Sequence, residues 1–245
     1  MIPLKAGRYH ARFARSAADI QAAQRLRCRA FRPDHADCSD ADPFDAACKH
    51  MLVEEVNSTR LVCCFRLLHL AHGAEIARSY SAQYYGLSAL KRFDGPMVEV
   101  GRFCTDPDCH DPDIIRVAWA ALTACVDTWG VKMLFGCSSF HGTDAADYHD
   151  AFALLRDRHI APKRWLPQVK APAVFRFARR LRQKPDLKRA RARMPPLLRT
   201  YLLMGGRVSD HAVVDRDLNT LHVFTGLEIN AIPPVRARLL RATAG

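Results

Sequence analysis

The stretch "MVEVGRFCTDPDCHDPD", residues 97–113, constrains the fold more than any other part of the chain. Its first nine residues read as a strand, and a turn rich in proline and aspartate follows. Asp111-Pro112 has the form of a helix N-cap and first helical residue, because proline lacks an N–H that the first turn leaves unused anyway. Ile115, Ala118, Trp119, Leu122, Val126 and Trp129 then make one apolar stripe, and Gly130 suits the residue that closes a helix. A strand feeding an amphipathic helix needs a sheet for that helix to cover, which predicts an α/β domain.

The rest of the chain agrees. "RYHARFA" alternates like a strand, and Ser16 opens a helical pattern through Phe31. Residues 34–45, "DHADCSDADPFD", are a loop by composition, while "HMLVEEV" and "RLVCCFRLLHL" read as strands. Residues 77–96 are helical or irregular up to Gly95-Pro96. "KMLFGCSSF" is a strand, "DAADYHDAFALLRDRH" a helix, and the last forty residues suggest short strands and a final helix. The expected architecture is a mixed, mostly antiparallel central sheet flanked by helices. The reading divides it into a core over 1–162, a basic segment over 163–204 and a C-terminal extension over 205–245 packed on the core.

No run approaches the roughly 18–20 apolar residues of a membrane span. The N-terminus has no secretory apolar stretch, so a cytoplasmic protein is expected. The nine cysteines are scattered, form no C-x-x-C pair and read as reduced core residues; their spacing with histidine matches no zinc pattern. The net charge of +12 is concentrated: residues 163–199 hold 13 Lys/Arg against the single acid Asp186. Such a field acts on an acidic protein, a phospholipid face or nucleic acid, and no nucleic-acid motif accompanies it.

Glu99 interrupts an apolar strand. It reads either as a charge on a solvated edge or as a partly buried general base for an attacking amine. Arg102, three positions on, faces the opposite side in a regular strand; only a bulge near Gly101 would change that. Asp42 and Asp45 read as loop caps or as a site for a cationic group. Arg27 and Phe31 share a helix face. Arg66 lies inside an apolar strand and calls for a buried carboxylate partner. Neither G-x-G-x-x-G nor a P-loop is present, and the histidines at 110, 211 and 222 have no spacing that singles them out.

The set Arg27, Phe31, Asp42, Asp45, Arg66, Glu99 and Arg102 resembles the acyl-homoserine-lactone synthase branch of the GNAT-like N-acyltransferases. "EVGRFCTDPDCHDP", "LFGCSSFHGTD" and above all "DHAVVDRDLNTLHVFTGLE" resemble the bacterial ornithine N-acyltransferases more closely. The resemblance implies a GNAT fold and transfer of a 3-hydroxyacyl chain. The donor would be acyl carrier protein, through its 4′-phosphopantetheine thioester, and no cofactor would be bound. The acceptor would be the α-amine of L-ornithine and the product lyso-ornithine lipid. Glu99 would be the base, with Gly101 and Phe103 flanking the backbone that polarises the thioester. Arg66 or Arg102 would take the acceptor's carboxylate and Asp42 or Asp45 its second amine, unless these charges pair with one another. The acidic turn at 106–113 lacks the glycines of a coenzyme A pyrophosphate cradle, which favours a carrier protein. Arg176, Arg179, Arg180 and Arg182, interleaved with Phe175, Phe177 and Leu181, suit a helix lying on an anionic membrane or meeting the carrier protein. That places the protein peripherally at the inner membrane. An acyl-homoserine-lactone synthase and a non-catalytic GNAT-like membrane- or acidic-partner-binding module are the alternative readings.

Overall fold

The computed structural model describes residues 4–33 and 38–244; the first part of the 34–45 loop lies outside them. In chain order the elements are β1 (Leu4–Ala6), β2 (Tyr9–Phe13), α1 (Ala17–Phe31), β3 (Lys49–Glu55), β4 (Leu61–Leu70), α2 (Ser81–Tyr84), β5 (Tyr85–Gly86), β6 (Met97–Thr105), α3 (Pro112–Thr128) and β7 (Met133–His141). Then come α4 (His149–Arg158), β8 (Gln168–Val169), β9 (Val174–Phe175), α5 (Phe177–Arg180), α6 (Leu187–Arg193), α7 (Pro196–Leu203), β10 (Arg207–Val208), β11 (Ala212–Asp215), β12 (Thr220–Glu228) and α8 (Pro234–Ala244).

Local signals place the helices. Ser16 Oγ accepts the Asp19 amide and opens α1, and Asp111 accepts the Asp113 amide at the start of α3 with Pro112 behind it. Gly130 then leaves the helix at φ +57°, where a side chain would be strained. The buried face of α3 is wider than its sequence stripe. Ile114, Val117, Ala121 and Cys125 join Ala118, Trp119, Leu122 and Val126, because strands and α8 both pack on it.

The chain forms two compact units, one of Met1–His69, Val100–Val131 and Pro234–Gly245, the other of Leu70–Glu99 and Lys132–Pro233. β6 contributes to both. In the first unit β1, β2, β3 and β4 pair antiparallel in sequence order, and β6 neighbours β4. Ala23 and Leu26 of α1 pack there against Leu52, Cys64 and Cys104. In the second unit the order is β6-β7-β12-β11-β9. β6 and β7 run parallel and the other pairs antiparallel. The β7–β12 register is unbroken from Met133↔Glu228 to His141↔Thr220. The expected mixed, mostly antiparallel sheet with flanking helices is therefore the one observed.

Two features differ from the sequence reading. Cys28 and Cys38 form a disulfide where all nine cysteines were expected reduced: the helix and the returning loop bring their Cα atoms to 5.8 Å, a normal bridging separation. The basic segment does not form one amphipathic helix over Phe175–Arg182. Helix α5 has four residues, and Phe177 and Leu181 are buried with Phe152, Leu198 and Val223. Phe177 stacks on Phe152 at 5.1 Å. Core burial of these apolar side chains outweighs continuation of the helix, leaving the arginines at the surface without their apolar companions. Among the described residues no helix is long and apolar enough to cross a membrane.

Candidate active site

Glu99 is the last residue of β6 that pairs with β7, opposite Phe135. β7 continues six residues further, with β12 on its other edge. This position is interior, and Glu99 is 5% exposed, so it is no solvated edge charge. Its carboxylate is held from the N-terminal end of α2: Oε2 accepts the Tyr80 amide at 2.8 Å, and Oε1 accepts the Ser81 amide at 2.7 Å and the Ser81 hydroxyl at 2.6 Å. Burial would be costly for this group alone; three donors offset it. Ser81 Oγ also lies 3.5 Å from Cys137 Sγ on β7.

The other predicted charges converge within the first unit. Buried Arg27 donates from Nε to Asp40 Oδ2 at 2.8 Å and from Nη1 to Asp45 Oδ1 at 2.7 Å, and also reaches the Asp40 carbonyl. Arg66 Nη1 meets Asp42 Oδ1 at 2.5 Å and Asp45 Oδ1 at 2.8 Å. Arg102 Nε meets Asp40 Oδ2 at 2.9 Å, and its Nη2 meets Asp42 Oδ2 at 3.2 Å. Three guanidinium groups thus balance three carboxylates. Gln24 adds a bond to Asp45 at 2.8 Å, and the Arg66 guanidinium stands 5.6 Å from the Phe44 ring centre. Burial alone would raise the Asp45 carboxyl, but Arg27, Gln24 and Arg66 hold it below its ordinary value. Asp42 is lowered similarly, burial being outweighed by Arg66 and Arg102. The members least buried are Arg102 and Asp42, whose side chains are 12% and 16% exposed.

The backbone of β6 departs from a regular strand at Arg102. Arg102 has φ +52°, uncommon for a side-chain-bearing residue, and its guanidinium meets Asp40 and Asp42. Gly101 passes close to Arg66, whose Nε would lie 3.4 Å from an added Cβ. Phe103 stacks on Phe65 at 5.0 Å. Phe31 packs on the Ala23–Leu26–Leu52 cluster rather than among the charges. The acidic turn is held from outside: buried Asp106 receives Arg60 Nη2 at 2.8 Å and Arg29 Nη2 at 3.2 Å, and Asp111 accepts the Tyr9 hydroxyl. Arg176, Arg179, Arg180 and Arg182 are exposed in the second unit.

Sequence reasoning missed three residues. Asp40 lies in the 34–45 loop, and a count of buried arginines would have called for a third carboxylate. His211, just before β11, and His222, on β12, are buried, and no spacing marks them. His211 Nδ1 is 2.7 Å from Asp210 Oδ1, and the Tyr85 hydroxyl is 3.1 Å from His222 Nδ1 and donates to the His222 carbonyl at 2.8 Å. Burial, with His211 nearby, pushes the His222 imidazole down to about 4, so it is neutral in the folded protein.

Residues 25–120 match the acetyltransferase (GNAT) domain family. The fold is shared with an N-acyl amino acid synthase from uncultured soil microbes, at 10% identity and a TM-score of 0.53, covering 91% of this chain and 93% of that one. The fold and the matched domain are of the GNAT acyltransferase kind. Over 238 residues the chain is 33% identical to the L-ornithine N(α)-acyltransferase of Rhodobacter capsulatus, covering 91% of both chains. It is 31% identical to that of Brucella abortus, over 92% of this chain and 86% of the relative. The chain belongs to the L-ornithine N(α)-acyltransferase family.

Proposed function

We propose that this protein transfers a 3-hydroxyacyl chain from acyl carrier protein to the α-amine of L-ornithine, giving lyso-ornithine lipid. The observation that carries the chemistry is Glu99, a buried carboxylate fixed by two backbone amides and a hydroxyl where the β6–β7 pairing ends. Family membership supports the acceptor and the reaction class.

Amide formation from a thioester requires a neutral amine, yet ornithine arrives as an ammonium. Glu99 removes that proton, directly or through water. The nitrogen then attacks the thioester carbon, and the developing oxyanion meets backbone N–H groups of Gly101–Phe103. The C–S bond breaks as the nitrogen sheds its second proton, and the departing thiolate takes that proton up. Arg102 and Asp42 are the members of the charge network that meet solvent. In this reading Arg102 receives the acceptor's carboxylate and Asp42 its side-chain ammonium, while Arg27, Arg66, Asp40 and Asp45 hold those two in place. The turn before α3 lacks the glycines of a free pyrophosphate cradle, which supports a carrier-bound donor. The exposed arginines of 176–182 suit the acidic surface of the carrier or an anionic membrane, which supports a peripheral position at the inner membrane.

The test is release of carrier thiol from 3-hydroxyacyl carrier protein with a panel of amines. Ornithine-dependent release, with the product acylated on its α-nitrogen, is the expected result. Turnover only with S-adenosylmethionine, or with no amine, defeats the reading.

A further inference from the structure

We propose that the Cys28–Cys38 bridge is a redox site: a protein dithiol opens it reversibly and thereby loosens the loop that frames the acceptor. The bridge and the residues it acts on lie in the first unit. The effect on the acceptor rests on the roles read above for Arg102 and Asp42; the loosening of the loop does not. The bridge is the covalent member of one set of ties. Gln24, Arg27 and Cys28 share a face of α1, since residues three and four apart are neighbours there. The Gln24 carbonyl accepts the Asp40 amide at 3.3 Å, and its side chain donates to Asp45 at 2.8 Å. Arg27 bonds both Asp40 and Asp45. Cys28 is bonded to Cys38, which stands just ahead of Asp40 in the chain. Asp40 Oδ2 in turn receives Arg102 Nε at 2.9 Å. Opening the bridge frees the chain on the N-terminal side of Asp40 and leaves that carboxylate held by ionic and hydrogen bonds alone. Arg102 then has a less firmly fixed partner.

The surroundings mark the bridge as labile. A chain this long builds its core without cross-links, and seven other cysteines stay free. Cys64 and Cys104 are buried with their sulfurs 3.6 Å apart, and they remain thiols. The bridged pair can be reached from one side: Cys28 is 1% exposed, whereas Cys38 is half-buried. Exchange therefore begins at Cys38. One thiolate of the dithiol bonds to Cys38 Sγ, the S–S bond breaks, and its electron pair leaves on Cys28 Sγ, which takes up a proton. The second thiolate of the dithiol then bonds to the first sulfur, and Cys38 departs as a thiolate and is protonated. Two electrons and two protons pass to the protein, and the dithiol ends as a disulfide. A single bridge in a protein of a reducing compartment is usually a sensor rather than a staple.

Dithiothreitol, at graded ratios of its reduced and oxidised forms, is the probe. Alkylation of the folded protein followed by mass measurement should count nine free thiols after reduction in place of seven. Amide hydrogen exchange over residues 38–45 should quicken by roughly tenfold, while Tyr80 and Ser81 keep their rates. KM for ornithine should rise by roughly tenfold, as for a site competent about one-tenth of the time. The bonds to Glu99 are untouched, so kcat should be kept. Cys38→Ser should show the reduced enzyme's KM and no response to dithiothreitol. A bridge that stays closed in the folded protein, unchanged exchange over 38–45, or an equal KM in the two states overturns the proposal. So does a dithiothreitol response that persists in Cys38→Ser, which would belong to another cysteine. Failure of ornithine as acceptor would show instead as no thiol release by the oxidised enzyme; the thiol count and the exchange rates need no substrate and still decide the redox site.

Discussion

Replacing Arg27 by methionine tests the network that frames the proposed acceptor site. Arg27 is 1% exposed and bonds Asp40 and Asp45 at 2.8 and 2.7 Å. Its loss changes three positive and three negative charges to two and three, in a buried setting. Removal of one partner from such a pair costs about 3–5 kcal/mol, because the surviving carboxylate stays buried without compensation. Methionine fills part of the volume, so the cost is electrostatic rather than a cavity. At about 2 °C per kcal/mol for a chain of this size, Tm should fall by roughly 6–10 °C. Asp40→Asn in the same chain restores the balance at two and two, since Asp45 keeps Arg66 and Arg102 keeps Asp42. The double variant should therefore be more stable than the sum of the singles by about 1–3 kcal/mol. Urea titrations of the four proteins, followed by circular dichroism, give the cycle. A loss below about 1 kcal/mol for R27M, or strict additivity, would refute the network as the element that holds Arg102 and Asp42.

Three further outcomes follow from the same geometry. His222 is neutral when folded at about 4 and titrates near 6.5 when unfolded. Its contribution is complete above pH 6.5 and is lost as pH falls toward 4, by up to about 3 kcal/mol. His159 is depressed in the same direction by burial, so the readout is the difference between wild type and His222→Gln, whose stability should vary less over this window; parallel curves would contradict the assignment. Asp42 and Asp45 lie below their ordinary values, so the stability they contribute is present above about pH 4 and is lost as pH falls through their folded values; Arg66→Met raises those values and should shrink that acid loss in an acid titration. At Gly226 an added Cβ would stand 2.6 Å from Met133 Cε and 2.8 Å from the Trp165 ring. Gly226→Ala should accordingly cost about 1–3 kcal/mol by overpacking, and a neutral result in thermal melts would show that the ring yields.

What could be read from the chain was what local chemistry dictates. Asp111-Pro112 and Gly130 bracket α3 because caps act within a few residues. Arg66 announced a carboxylate because an apolar strand cannot carry a lone charge, and Asp42 and Asp45 answer it. The pairing of Arg102 with Asp40, 62 residues away, could not be read, because it depends on a positive φ in β6 that no residue type there favours. His211 and His222 escaped for a related reason: they share partners through Tyr85, 137 residues from His222. The basic segment misled because charge was read as a surface helix, whereas its aromatic residues belong to the core. The register that ends at Glu99 sets the candidate base apart from an ordinary buried acid, and it too is a property of the sheet rather than of the sequence.

The most direct test of the account is turnover by Glu99→Gln with ornithine and 3-hydroxyacyl carrier protein, beside Ser81→Ala. Glutamine puts an amide N–H where the carboxylate accepted Tyr80 or Ser81, so the folded fraction must be measured with the rate; Ser81→Ala removes one bond to Glu99 and leaves the base. The account predicts a fall of roughly 10²- to 10⁴-fold for the folded Gln variant, with Ser81→Ala retaining most of its activity. Near-normal turnover in folded Glu99→Gln, or equal losses in both variants, would show that the carboxylate holds α2 in place and does not take the amine's proton.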